Sequence, residues 1–244
     1  MKRYLEYDGL KVLAHRGGAE ESNENTLESF DYSQSLGCEF IETDVQVSSD
    51  GIPYIFHDDD LSRLFQKDIV FNSLHSDEIN QLLLFDKYRI PTLESTLNKF
   101  PDTFFQIDVK TDEVVLPALE VIKKTNSIHN VCLASFSSKR LKQVHNLHPE
   151  ICLSMGPFEV MKLLLASYNL YKKKVPGNCL QIPIYQYGIK LVTKRFINYV
   201  HSIGLKIHVW TINDEDTMLK LIDLGVDGII TDRPKALKDL LSHH

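Results

Sequence analysis

Residues 38–60, CEFIETDVQVSSDGIPYIFHDDD, decide the fold. The first part has the β-branched and aromatic side chains of a strand, Ser49-Asp50-Gly51 makes a turn, and a second short extended run ends on His57. Alternation along the strand puts Glu42 and Asp44 on one face and Ile41, Thr43 and Val45 on the other. The apolar face suits packing against helices. The other sends two carboxylates into an interior, which a core tolerates only with something cationic between them. A hard divalent metal is the simplest candidate, and the return run delivers His57 to the same end of the sheet.

Working outward, residues 11–15 form a short strand, and Arg16-Gly17-Gly18 forms an exit loop in which glycine permits sharp turns and an arginine is placed at the strand end. Asn25-Thr26-Leu27-Glu28 reads as a capping box opening a helix to about Leu36, ended by Gly37. Residues 59–92 are the longest connection. Their scattered apolar side chains, among them Leu61, Phe71, Ile79 and Leu84, predict short helices and a small cap beside the site. A helix over 92–100 leads to a strand over 103–110, whose alternation groups Phe104, Gln106, Asp108 and Lys110 and so repeats the first acidic strand.

Strands then follow at 131–135, 151–155, 179–183, 206–210 and 226–231, with helices from Ser137, Phe158, Thr193, Asp214 and Pro234. Asp232 reads as the cap of the last helix. With 53–57 counted as loop, there are eight strands. The pattern predicts an α/β chain folded as one (β/α)8 TIM barrel over residues 1–244, with a small insertion at 59–92 after the second strand. Catalytic groups of such barrels gather at the C-terminal strand ends, where His15, Glu42, Asp44, His57, Asp108, Lys110 and Trp210 all fall.

Composition agrees with one large core: 244 residues, 43% of them hydrophobic. The formal net charge of -6 argues against a nucleic-acid partner and a polybasic membrane anchor and favours a small polar substrate. Charges interrupt the apolar residues of the N-terminus, so neither a signal peptide, a membrane-spanning helix nor stable membrane insertion is expected, and a cytoplasmic location is the default. Cys38, Cys132, Cys152 and Cys179 are far apart without CxxC spacing that would suggest zinc, and read as reduced core thiols. His243 and His244 read as lying outside the site.

The stretches LAHRGG (13–18), ENTLESF (24–30), IETDVQVSSDG (41–51), FHDDDLSR (56–63), IDVK (107–110), SF (135–136), VWTIND (209–214) and GVDGIITDRP (225–234) together resemble the glycerophosphodiester phosphodiesterase family. The resemblance spans nearly the whole chain and is strongest to compact cytoplasmic bacterial members. It implies a phosphoric diester hydrolase that converts glycerophosphocholine, glycerophosphoethanolamine and similar esters to sn-glycerol 3-phosphate and an alcohol. Two departures stand out. Asn23 occupies a position where the family usually has proline, and Asp108 one where glutamate is the commoner third metal ligand. Aspartate is one methylene shorter, so direct coordination, coordination through water and a shifted metal all stay open.

Carried onto this chain, the resemblance implies that Glu42, Asp44 and Asp108 hold one divalent cation, and an all-oxygen donor set favours Mg²⁺ or Ca²⁺ over zinc. It makes His15 and His57 the general acid and base, with the substrate's glycerol hydroxyl attacking first and water then opening a cyclic phosphate. Arg16 and Lys110 would clamp the phosphate, Glu24 would orient Arg16 or a histidine, and Trp210 would wall the substrate's carbon skeleton. Structural roles compete with these: internal salt bridges for the carboxylates, charge balance for Lys110, helix-start compensation for Glu24, barrel filling for Trp210.

Asp58 is a weaker candidate, and Asp59 and Asp60 read as a solvated run. His75, His129, His145, His148 and His201 read as structural, and His208 as lining the barrel beside the site. Two other functions are compatible with the fold. An apolar cap would suit a lysophospholipase D, and a non-catalytic phosphodiester-binding barrel would ordinarily lack one of the two imidazoles, both of which are present here.

Overall fold

The computed structural model describes residues 2–243. Eight short segments pair side by side in parallel: β1 Lys11–His15, β2 Phe40–Val47, β3 Phe104–Val109, β4 Val131–Ala134, β5 Cys152–Leu153, β6 Cys179–Ile182, β7 Lys206–Val209 and β8 Gly228–Thr231. Their spatial order is β5-β4-β3-β2-β1-β8-β7-β6. A parallel bridge between Ser154 and Cys179 joins the two ends, with the Met155 N–H donating to the Cys179 carbonyl at 2.9 Å. The expected (β/α)8 barrel is therefore present, its ring thinnest at β5, where a strand of two residues replaces the expected 151–155.

Each strand feeds a helix: α1 Leu27–Ser35, α2 Leu93–Lys99, α3 Val115–Lys124, α4 Ser138–Leu147, α5 Pro157–Ser167, α6 Lys194–Ser202, α7 Glu215–Leu224 and α8 Pro234–His243. Ile41, Val45, Phe105, Ile107 and Val109 point outward from β2 and β3 and pack with Phe30, Leu97, Ala118 and Val144 of the helices. Alternation along the strand is the reason: every second side chain meets a helix and every other one enters the barrel. Ser137, Thr193 and Asp214 cap α4, α6 and α7 by accepting from a backbone N–H three residues on.

Three local details differ from the expectation. The box at α1 closes between Thr26 and Ser29, one residue later than expected, and leaves the Asn25 side chain free for the barrel interior. Helix α3 was not anticipated; Pro117 lies in its first turn, where a missing N–H costs nothing. A hairpin, Tyr185–Gln186 with Ile189–Lys190, follows β6.

The short run Pro53–Ile55 pairs antiparallel with the end of β2 and stays outside the ring. Residues 59–92 beyond it hold the helices Ser62–Phe65 and Ser76–Ile79 and the hairpin Leu83–Leu84 with Tyr88–Arg89. Tyr54, Phe56, Leu61, Phe71, Leu74, Ile79, Leu84 and Ile90 form a separate apolar cluster there, with Phe56 and Phe71 stacked at 4.5 Å. At the barrel's other pole the turn Arg3–Leu5 buries Tyr4 and Leu5. Among the described residues, no helix is long and apolar enough to cross a membrane.

Candidate active site

The C-terminal ends of the strands surround one pocket. His15, Arg16, Glu42, Asp44, His57, Asp108, Lys110 and Trp210 all line it, and Glu24 stands behind Arg16. The turn that aims Arg16 depends on glycine: Gly17 has φ +81°, and a Cβ there would lie 2.8 Å from the Cβ of Ser29.

Parallel register sets Asp44 directly beside Asp108, and Glu42 lies two residues earlier on the same inward face. These carboxylates are only 6%, 2% and 7% exposed for Glu42, Asp44 and Asp108. Lys110 Nζ lies between the last two, 2.7 Å from Asp44 Oδ1 and 2.8 Å from Asp108 Oδ2. Asp44 also faces Arg16 Nε at 3.5 Å and accepts from Asn25 Nδ2 at 3.4 Å.

The donor atoms of Glu42, Asp44 and Asp108 do not all fall within 4.8 Å of one another, and the Lys110 ammonium is held between two carboxylates on the wall of the pocket. The physical reason is mutual repulsion of buried acids, which draw in the nearest flexible cation.

The acids are thereby split electrostatically. Burial and the Asp44 charge raise the Glu42 carboxyl to about 7. Burial also works against ionised Asp44, but Lys110, His57 and Arg16 outweigh it and hold that group low. Burial raises Asp108 despite Lys110. Among the described residues, Glu42 has no lysine or arginine side chain within ion-pair distance: it faces His15 Nε2 at 3.6 Å and the Arg16 backbone N–H at 3.4 Å. Its buried carboxyl, without a lysine or arginine ion pair and beside two more acids on one inward face, belongs to a donor set that fits a hard divalent cation.

Both candidate histidines are braced the same way. His15 Nδ1–H donates to Asp232 Oδ1 at 2.5 Å, and His57 Nδ1–H donates to Asp58 Oδ1 at 2.6 Å. A carboxylate partner fixes the proton on Nδ1 and leaves Nε2 as the exchanging atom on each ring. For His15, burial disfavours the charged ring, but Glu42 and the Asp232 hydrogen bond outweigh it and raise its pKa.

Asp232 thus serves a histidine, where the sequence suggested only a helix cap; its second oxygen accepts from Asn213 Nδ2 at 2.7 Å. Asp58, a weak candidate from sequence, accepts also from Arg63 Nε at 2.7 Å. Arg63 forks onto Glu24 at 2.6 and 3.0 Å, and Glu24 accepts from Arg16 at 3.2 Å. A chain of alternating charges therefore runs from His57 through Asp58, Arg63 and Glu24 to Arg16. Sequence reasoning missed Arg63, Asn25 and Asn213, although each lies inside one of the quoted stretches.

The opposite wall is apolar. Trp210 meets Phe136 edge to face at 6.0 Å, alongside Met155, Ile182 and Pro183. Deeper in the pocket, Gln106 Oε1 and both amide atoms of Gln181 are buried without a partner among the described residues. His208 was expected beside the site. It does not line the pocket but is fully buried toward the other pole, with Nε2 2.6 Å from the Tyr7 hydroxyl.

A (β/α)8 barrel whose rim joins buried acids, a guanidinium and two carboxylate-braced imidazoles carries groups that suit a hydrolase of anionic esters. Residues 15–236 match the glycerophosphoryl diester phosphodiesterase family. The chain is 30% identical to the probable glycerophosphodiester phosphodiesterase 2 of Mycobacterium tuberculosis, over 98% of this chain and 93% of that protein. It is also 30% identical to the glycerophosphodiester phosphodiesterase of Caldanaerobacter subterraneus, over 94% and 97% of the two chains. An Oleispira antarctica phosphodiesterase solved with the product sn-glycerol-3-phosphate superimposes with a TM-score of 0.79 at 25% identity, covering 95% of this chain and 96% of that one. The chain belongs to the glycerophosphoryl diester phosphodiesterase family, whose enzymes are phosphoric diester hydrolases.

Proposed function

We propose that this protein hydrolyses glycerophosphodiesters to sn-glycerol 3-phosphate and an alcohol, using His15 and His57 as acid and base. The observation that carries the reading is the pair of imidazoles, each held at Nδ1 by a carboxylate and both lining one pocket. The raised pKa of His15 suits it to be the acid. His57 then takes the proton of the attacking glycerol hydroxyl as its oxygen bonds to phosphorus. His15 protonates the departing alcohol as that P–O bond breaks. Water opens the resulting cyclic phosphate with the two roles exchanged, so each ring returns to its starting state.

Arg16 neutralises the phosphate through its guanidinium. Glu42, with Asp44 and Asp108, would hold one divalent cation, Mg²⁺ or Ca²⁺, which supplies further charge stabilisation to the phosphate oxygens when bound. Lys110 keeps Asp44 and Asp108 compensated. The unpaired Gln106 Oε1 and the unpaired amide of Gln181 are suited to the glycerol hydroxyls, and Trp210 with Phe136 to the carbon skeleton. Residues 59–92 act as a cap, since Arg63 ties them to Glu24 behind the site. Net charge supports a small-molecule substrate in preference to nucleic acid, and four free buried cysteines support a cytoplasmic setting.

The test is a glycerol 3-phosphate assay with glycerophosphocholine and glycerophosphoethanolamine, each with Mg²⁺ and with Ca²⁺, for wild type and His57→Ala. Release by wild type and loss of at least about 100-fold in the variant are expected. Folded wild-type protein that releases no product with either cation would remove the reading. Turnover confined to an acylated ester would reassign the enzyme as a lysophospholipase D.

A further inference from the structure

Below the catalytic rim, three neighbouring strands each turn a cysteine into the barrel. Cys132 of β4 and Cys152 of β5 sit side by side in register, and Cys179 of β6 follows across the closing bridge through Ser154. All three are at most 1% exposed. Their sulfurs lie within 4.8 Å of one another, with Cys132 and Cys179 Sγ atoms 3.7 Å apart. Two thiolates at ~2.3 Å from one tetrahedral zinc stand roughly 3.8 Å apart, which the Cys132–Cys179 spacing already matches.

A second observation concerns the surroundings. The Tyr4 hydroxyl and His208 Nδ1 are both fully buried and have no hydrogen-bond partner among the described residues. Tyr4 and Tyr7 pack against the three cysteines, and Tyr7 holds the other nitrogen of His208. Buried polar atoms are normally paired, and unmet ones beside a donor cluster point to a bound water or ion. The Tyr7 hydroxyl occupies Nε2 of His208 and leaves Nδ1 as the ring's unused donor atom. His208 lies one inward-facing position along from Lys206, which sits opposite Cys179 in register, and its ring stands outside the 4.8 Å cluster of the three sulfurs.

We propose that Cys132, Cys152 and Cys179 form a thiophilic metal site of the zinc class inside the barrel, with His208 Nδ1 completing the coordination. Soft thiolates select such ions over the hard cations suited to the carboxylate rim. Loading expels the three thiol protons to solvent and converts the thiols to thiolates, with no change in oxidation state. The site is closed on all sides, as structural zinc sites are, and would tie β4, β5 and β6 together where the ring is thinnest.

The test uses whole protein produced in zinc-supplemented medium, then treated briefly with EDTA to strip the solvent-facing rim. Elemental analysis should find about one zinc per chain in wild type and in Cys38→Ala, and nearly none in Cys152→Ala. Protein produced with cobalt should show a near-ultraviolet thiolate-to-cobalt charge-transfer band, which the carboxylate rim does not give. That band decides the matter on wild type alone if the variant fails to fold. Wild-type protein with no retained zinc and no such band, whether its thiols are free or joined as a disulfide, would overturn the proposal.

Discussion

His15 Nδ1 lies 2.5 Å from Asp232 Oδ1, a contact that joins the end of β1 to the segment after β8 across 217 residues of sequence. The carboxylate fixes the tautomer of His15 and, with Glu42, raises its pKa against the opposing effect of burial. Asp232→Asn keeps the size of the side chain and removes the charge. We expect kcat to fall about 10- to 100-fold and the limb of the pH–rate profile set by His15 to move to lower pH. A limb that stays in place or moves up would show that Asp232 does not act through this ring.

Arg63 meets neither histidine, yet it connects Asp58, the partner of His57, to Glu24, the partner of Arg16. Its side chain is 45% exposed, so its ion pairs contribute at most about 1 kcal/mol to stability. Arg63→Met should lower kcat/KM roughly tenfold with little change in thermal midpoint, and Arg63→Lys should not restore it, because an ammonium cannot fork onto two carboxylates. Full activity in the methionine variant would confine Arg63 to the surface.

Glu42 gives a pH dependence with a definite sign. Its carboxyl is raised to about 7 in the folded protein from an ordinary value of 4.5. In EDTA, the folded state holds this proton over a range where the unfolded chain has lost it, so its contribution to stability should fall as pH rises from 4.5 to about 7. Glu42→Gln should flatten that slope in a series of calorimetric midpoints. Cation binding requires the ionised form, so Mg²⁺ or Ca²⁺ affinity measured by titration calorimetry should be about tenfold weaker at pH 6 than at pH 8. Affinity independent of pH would exclude Glu42 as a ligand.

Lys110 compensates two buried acids at once. Removing one partner of a buried pair leaves the other charge exposed to its full desolvation penalty, so Lys110→Met should lose about 3–5 kcal/mol in urea unfolding with EDTA present. Saturating Mg²⁺ or Ca²⁺ should recover part of that loss by replacing the missing positive charge. An equal loss with and without cation would separate Lys110 from the metal-binding acids.

Much of this architecture is written locally. Alternation at i, i+2 placed Glu42 with Asp44 and Gln106 with Asp108, and caps at Thr193 and Asp214 marked helix starts, because these signals act within one element. The shortness of β5 and the presence of α3 were not legible, since ring closure sets the first and Pro117 disguised the second. Asp232 carried the signature of a cap, and nothing in its neighbours announces a histidine that lies near the other end of the chain.

What the sequence determined by itself was the order of eight strand–helix units and which side chains stand at the strand ends, because propensity and periodicity are properties of consecutive residues. What only the tertiary structure decided was the pairing: Lys110 between two acids, Asp232 on His15, Arg63 on Glu24, and three cysteines of separate strands side by side. Those contacts arise when a closed ring brings distant side chains into one volume, and there burial and charge, acting across space, select each partner.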